Sequence, residues 1–253
     1  MKKIVAFVGS ARKRHTYQAV EQLLEGLRAF GDVECEIVSL GDARLESCRG
    51  CLSCFDQGEE HCPRRDDRDL LIGKIEASDG VVFATPNYSF QVSGLMKTFL
   101  DRLGFLYHRP RFHGKAFTAI VAQGIFGGRA ILKYLDFAAN GLGFNTVKGS
   151  CLQTIEPVRA KAARKNDRAI ARHARRMHAR LTRPAFPTPS FIQLMVFRMS
   201  RTRIRTMLDG RSRDFTWYAD RGWLTSDYYY PTRLGLVKRA VGSLFDLVAG
   251  SLA

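Results

Sequence analysis

Apolar residues along the first 155 positions follow two alternating rhythms, short unbroken runs and longer runs that recur every three to four residues. KIVAFVG (3–9) reads as a strand buried on both faces, and Tyr17 to Phe30 sets Val20, Leu23, Leu24 and Leu27 on one helical face. VECEIVSL (33–40) alternates as a second strand. Asp66 and Asp67 offer a cap and early negative charge to a helix running through Glu76. DGVVFATP (79–86) is a third strand that stops at a proline, and KAFTAIVAQG (115–124) is a fourth. Ser93 to Leu106 and Gly128 to Asn140 are amphipathic helices, FNTVKGSCL (144–152) is a fifth strand, and Val158 to Leu181 continues as a basic helix.

Strand and helix alternate five times, and the strands are near-continuous Val, Ile and Phe. This predicts an α/β chain with a doubly wound five-stranded parallel sheet covered on both faces. Such sheets bind ligands beyond the carboxyl ends of their strands, which singles out the loops after Gly9, Leu40, Thr85 and Gln123. RPAFPTP (183–189) places three prolines in seven residues and reads as a linker. It divides a domain over 1–183 from a mostly helical extension over 184–253, rich in arginine and aromatic residues.

Charge adds one feature. The chain of 253 residues has 40 Lys+Arg against 24 Asp+Glu, but residues 1–158 hold 20 and 18, residues 159–213 hold 16 and 2, and residues 214–253 hold 4 and 4. The basicity is therefore local to one segment. Its simplest reading is a solvated helix face; an acidic redox partner such as a ferredoxin, or the 2′-phosphate of NADPH, is the functional alternative. No helix-turn-helix or RNA-binding motif accompanies it, so nucleic acid is not expected. LGLVKRAVGSLFDLVAGSLA (234–253) is amphipathic enough for a membrane surface, but packing on a second copy is the commoner use of such a helix, and membrane contact is not expected. No run is long enough to span a bilayer and the N-terminus lacks a signal-peptide pattern, which together predict a cytoplasmic protein.

The loop GSARKRHTYQ (9–18) joins a strand to a helix. Helix-start amides, the hydroxyls of Ser10 and Thr16, and cationic Arg12 suit a terminal phosphate dianion. It lacks the Gly-Lys-Ser/Thr ending of a nucleotide-triphosphate loop and has one glycine where a dinucleotide fingerprint has three, which favours FMN over ATP or NAD. In TPNYSFQVSGLMKTFLDR (85–102), Pro86, Asn87, Tyr88 and Ser89 offer edges for a flat polar heterocycle, and Lys97 and Asp101 have the spacing of a surface ion pair. QGIFGGR (123–129) could line the other edge of the ring.

CRGCLSCFDQGEEHC (48–62) carries four of the six cysteines. Cys48, Cys51 and Cys54 have the two-residue spacing of ferredoxins, with Cys62 available as a fourth thiolate for a 4Fe-4S cluster. A four-cysteine zinc site usually draws on two separated pairs and fits less well. Thiol chemistry, or cysteines that bind nothing, completes the set of readings.

In this order, GSARKRHT, the CxxCxxC loop followed by two aspartates, FATPNYSFQVSG and KTFLDR resemble the NADPH-dependent FMN reductase branch of the flavodoxin-like superfamily, and within it the iron–sulfur flavoproteins. The resemblance covers roughly residues 1–155. It implies a flavodoxin-like sheet, non-covalent FMN, and a homodimer or homotetramer. It also implies that Ser10, Arg12 and Thr16 hold the phosphate, that Pro86, Asn87, Tyr88 and Ser89 frame the ring, and that Gly124 lies near the ring's pyrimidine edge. No side-chain acid or base is required. The expected activity is transfer of a hydride or electrons from NAD(P)H through FMN to a small acceptor such as a quinone, flavin or nitro compound. The alternative is an electron carrier fed by a ferredoxin through a cluster on the cysteine loop. The chain departs from the family pattern at Ala11, at Arg14–His15 and in the long gap between Cys54 and Cys62.

Overall fold

The computed structural model describes residues 1–251. In chain order its elements are β1 (Lys2–Val8), α1 (His15–Arg28), β2 (Val33–Ser39), α2 (Ser53–Asp56), α3 (Arg68–Glu76), β3 (Gly80–Pro86), α4 (Gly94–Arg102), β4 (Ala116–Gln123), α5 (Gly128–Gly141), β5 (Asn145–Thr146), β6 (Ser150–Gln153), α6 (Ala160–Leu181), α7 (Phe191–Met207), α8 (Arg213–Asp220) and α9 (Leu236–Ser251). They group into two units: one holds Met1–Cys48, Asp66–Gly104 and Gly114–Ala185, the other Arg49–Arg65, Phe105–His113 and the chain from Phe186 onward.

In the first unit the strand order is β2-β1-β3-β4-β5, with β6 also pairing β4. Every pairing is parallel, with Ile4 opposite Cys35, Phe7 opposite Phe83, and Ala84 opposite Ile120. This is the flavodoxin-like order. The two-residue strand period splits the core cleanly. Ile4, Ala6, Val8, Val82 and Ala84 meet α1 and α6 through Val20, Leu23, Leu27, Ala174 and Met177. On the other face Phe7, Phe83, Phe99 and Phe117 stack edge to face or offset, with centroids 5.0–5.8 Å apart.

The fifth strand is broken. β5 and β6 pair with β4 on either side of Val147–Gly149, where Gly149 passes so close to β4 that a Cβ there would lie 2.3 Å from the Ala119 carbonyl oxygen. Of the aspartates after the cysteine loop, Asp66 Oδ1 accepts from the Arg68 amide at the start of α3 (3.3 Å), as expected, while Asp67 differs. Asp67 occupies the N-cap position of α3 but makes no capping hydrogen bond with its side chain. Its Oδ2 instead accepts from the amide of Arg44 (2.7 Å), and Asp66 Oδ2 accepts from the amide of Glu46 (2.9 Å), so the pair fastens the base of the cysteine loop.

The second unit has its own core of Leu194, Phe197, Ile204, Trp217, Tyr218, Trp223, Tyr228 and Leu234. Arg109, fully buried, donates to Asp214 and to the carbonyl of Cys54 and pairs with Glu59 at 3.2 Å. Desolvation would raise the Glu59 carboxyl, but hydrogen bonds from its own amide and from Arg111 outweigh it and hold the group below the usual carboxylate range.

Candidate functional site

The site is assembled at the carboxyl ends of β1, β3, β4 and β6. Gly9 follows β1, where a Cβ would come within 2.8 Å of both Met96 Cβ and Ser93 Oγ. Only glycine lets the loop lie this close to α4. The Gly9 amide donates to Ala84 O (2.7 Å), and its carbonyl accepts from the Ser93 hydroxyl, which also caps α4 by accepting from the Met96 amide (3.2 Å). The first two site loops are thus joined through backbone.

α1 then begins without a cap: Arg14 at the N-cap gives no side-chain hydrogen bond, and the first turn carries no acid. Its leading amides are left for an outside acceptor, in the positive field of the helix end. Buried Ser10 and Thr16 stand beside them, and the Ser10 hydroxyl donates to Arg12 O (3.0 Å), which shapes the loop.

At the carboxyl end of β3, Thr85 Oγ1 accepts from the Ser93 amide (3.0 Å) and donates to Pro86 O (2.9 Å). The Asn87 amide donates to Ala122 O (2.7 Å), and its Nδ2 donates to Phe126 O (2.9 Å). That second bond fixes which way the Asn87 amide points. It leaves Oδ1 buried with no hydrogen-bond partner among the described residues. Tyr88 and Gln91 close a tight turn by exchanging backbone hydrogen bonds (2.9 and 3.1 Å), with Ser89 and Phe90 both left-handed at φ 49° and 63°. Gly127, φ 97°, lies against Phe90, where a Cβ would meet Cδ1 at 2.9 Å.

These loops enclose a cavity of about 340 Å³ lined by Ser10, Arg12, Thr16, Pro86, Asn87, Tyr88 and Gly124, among others. Ser89 is not among its lining residues; it sits at the tip of the turn. Nothing crowds Gly124, where a Cβ would meet only Ile155 at 3.6 Å, so its role there is not steric. Sequence reasoning missed Ala122, Thr154 and above all Glu156, which also line the cavity. Glu156 Oε1 lies 3.0 Å from His15 Nε2 and 3.7 Å from Arg14 Nη1, a carboxylate set against the cationic end of the loop. No local pattern joins residues 141 positions apart, so no sequence signal marked it. A larger hollow of about 950 Å³ in the second unit, lined by Phe55, His108, Arg211 and Asp214 among others, holds none of the predicted residues.

The donor set fits a flavin mononucleotide on two observations: the uncapped α1 end beside two buried hydroxyls suits a phosphate, and the orphaned Asn87 Oδ1 suits a ring N–H. The cysteine loop does not present an equivalent fit. Cys48 and Cys51 are exposed, Cys54 and Cys62 half-buried, and among the described residues no three His, Cys, Asp or Glu side chains are gathered as metal ligands. The Ser53 hydroxyl donates to Cys51 Sγ at 3.4 Å and draws that thiol below its ordinary pKa.

The family model of NADPH-dependent FMN reductases matches residues 2–154. An iron–sulfur flavoprotein of Archaeoglobus fulgidus is 30% identical over 142 residues, covering 56% of this chain and 69% of that protein. A second from the same organism is 38% identical over 120 residues, covering 47% and 53%. The chain thus spans between about half and two-thirds of these relatives. Among solved structures, an NADH:FMN oxidoreductase in its apo form is 25% identical with a TM-score of 0.51, covering 69% of this chain and 89% of that one.

Proposed function

The chain belongs to the NADPH-dependent FMN reductase family, and from that premise we propose that it is an FMN-dependent oxidoreductase drawing on NAD(P)H and serving a small acceptor such as a quinone, a flavin or a nitro compound. The observation that carries this reading is the cavity in which an uncapped helix end, two buried hydroxyls and an orphaned amide oxygen converge. FMN, when bound, supplies a ring that accepts a hydride and releases electrons singly or in pairs.

The chain's own residues bind and orient. Ser10, Thr16 and the α1 amides would hold the phosphate, with Arg12 adding charge from an exposed position. Pro86 and the turn at Tyr88 would set the plane of the ring, and Asn87 would accept from its edge. No side chain need donate or remove a proton. Phe90 and Phe126, 60% and 63% exposed with ring centroids 5.2 Å apart, flank the site and would be covered in a homodimer or homotetramer. Equilibrium binding of FMN against riboflavin tests the reading. FMN should bind at least tenfold tighter, in keeping with charge-assisted phosphate contacts, and equal affinities would contradict a phosphate site.

A second reading, an electron carrier fed by an acidic ferredoxin through a cluster on Cys48, Cys51, Cys54 and Cys62, is favoured by the cysteine spacing and by the names of the relatives. Among the described residues the thiols as placed form no donor set. Iron and acid-labile sulfide assays on anaerobically purified protein decide it.

A further inference from the structure

α9 is amphipathic in an inverted sense. Its one acidic side chain, Asp246, faces the neighbouring helix, where its Oδ2 accepts from Arg198 (2.8 Å) and its Oδ1 pairs with Arg201 (2.6 Å) and accepts from Thr202 (2.8 Å). Both arginines are buried on α7, at 8% and 5% side-chain exposure. Gly242 packs on the Arg198 guanidinium, where a Cβ would sit 3.2 Å away, and Ala249 is fully buried. These contacts fix the rotation of α9 about its own axis.

The outward side is consequently apolar. Leu236, Val237, Leu244, Leu247 and Val248 are 85, 68, 56, 72 and 41% exposed. They recur at helical spacing along one face of 16 residues, about 24 Å. Burial of that face within the unit would have stabilised the fold at roughly 25 cal/mol per Å². The carboxylate is instead turned inward, which leaves the apolar stripe open to something outside the unit.

Charge decides between the two usual occupants. On α9 itself the exposed ionic side chain is the cationic Arg239, which helical spacing sets at the edge of the stripe beside Leu236, and the only acid on this helix is the inward Asp246. A second copy docked on this face by a twofold axis would bring cations against cations. An anionic lipid surface meets both the apolar stripe and its basic border. Phe191 and Ile192 at the start of α7, 47% and 71% exposed, extend the apolar surface, and Lys238 Nζ lies 5.6 Å from the Phe191 ring. Among the described residues no helix is long and apolar enough to cross a membrane.

Against the sequence expectation of packing on a second copy, we propose that α9 lays its outward face on anionic membrane surfaces, making the protein a peripheral membrane binder through its second unit. The inference is independent of the flavin reading. Flotation of the full chain with vesicles tests it. The protein should float with vesicles of equal parts phosphatidylcholine and phosphatidylglycerol and not with phosphatidylcholine alone. Leu244→Glu with Leu247→Glu should abolish flotation while the circular dichroism spectrum and FMN affinity stay unchanged, since both positions are exposed. Arg239→Ala should weaken partitioning roughly fivefold. No flotation of the wild type, or flotation unaffected by the double glutamate variant, overturns the proposal. So does conversion of a dimer to a monomer by that variant without any vesicle binding, because the face would then belong to a second copy.

Discussion

Asp66 and Arg102 form a buried bidentate pair, Nη1 to Oδ2 at 2.8 Å and Nη2 to Oδ1 at 2.9 Å, with side chains 1% and 2% exposed. Arg102 Nη1 also donates to Glu46 O at 3.0 Å, so one guanidinium joins α4 to both ends of the cysteine loop. Removing one partner strands a buried charge. Arg102→Met should cost about 3–5 kcal/mol in urea denaturation, and the double change Asp66→Leu with Arg102→Met should recover only part of it, because the Glu46 amide then loses its acceptor. Equal losses in single and double variants would show that the pair is not the cause.

The phosphate subsite is tested by Thr16→Val, which keeps shape and removes a hydroxyl. FMN affinity should fall about tenfold, consistent with the 1.5–3 kcal/mol of a hydrogen bond to a charged group, while riboflavin affinity should change little. A parallel loss for both ligands would place Thr16 in the fold and not at the phosphate.

Glu156 shares the cationic end of the loop with any phosphate that enters. Glu156→Gln releases Arg14 and His15, so FMN should bind a few-fold tighter at low salt, an effect of up to about 1 kcal/mol for an exposed pair, and the gain should shrink as salt is added. Weaker binding would instead make the carboxylate an organiser of the loop.

His173 is fully buried on α6, its Nε2 in hydrogen-bond range of Thr118 Oγ1, which itself donates to Val147 O at 3.0 Å. Its Nδ1 has no partner among the described residues. Burial, reinforced by Arg176, lowers its pKa from 6.5 to about 3. Between those values the unfolded chain binds a proton that the native chain does not. This contribution to stability is therefore intact above pH 6.5 and is lost as pH falls toward 3, at up to about 1.4 kcal/mol per pH unit. Urea midpoints measured across pH 5 to 7 should show that slope, and His173→Gln should flatten it. An unchanged slope in the variant would assign the pH dependence elsewhere.

Much of this architecture is legible in the sequence, for identifiable reasons. A strand buried on both faces must be apolar throughout, so β1, β3 and β4 stand out, and α1 shows its Val20, Leu23 and Leu27 face because one stripe meets the sheet. The loops over 9–18 and 85–102 are contiguous stretches, so Ser10, Thr16, Pro86, Asn87 and Tyr88, which line one cavity, could be singled out together in the sequence. What escaped depends on distant partners. The need for glycine at 149 is set by the Ala119 carbonyl, the task of Asp66 by Glu46 and Arg102, and the place of Glu156 by the loop around His15. The outward face of α9 is likewise set by Arg198 and Arg201, which the periodicity of α9 alone does not reveal.

The central claim is that this chain holds FMN in the cavity at the strand ends and lets NAD(P)H reduce it. Anaerobic titration of the FMN-reconstituted, desalted protein with NADPH and with NADH, followed by flavin absorbance, tests it most directly. FMN should survive desalting in about equimolar amount, and its oxidised absorption band should bleach with at least one of the two nucleotides. Loss of the flavin on desalting, or a band that neither nucleotide bleaches, would contradict it.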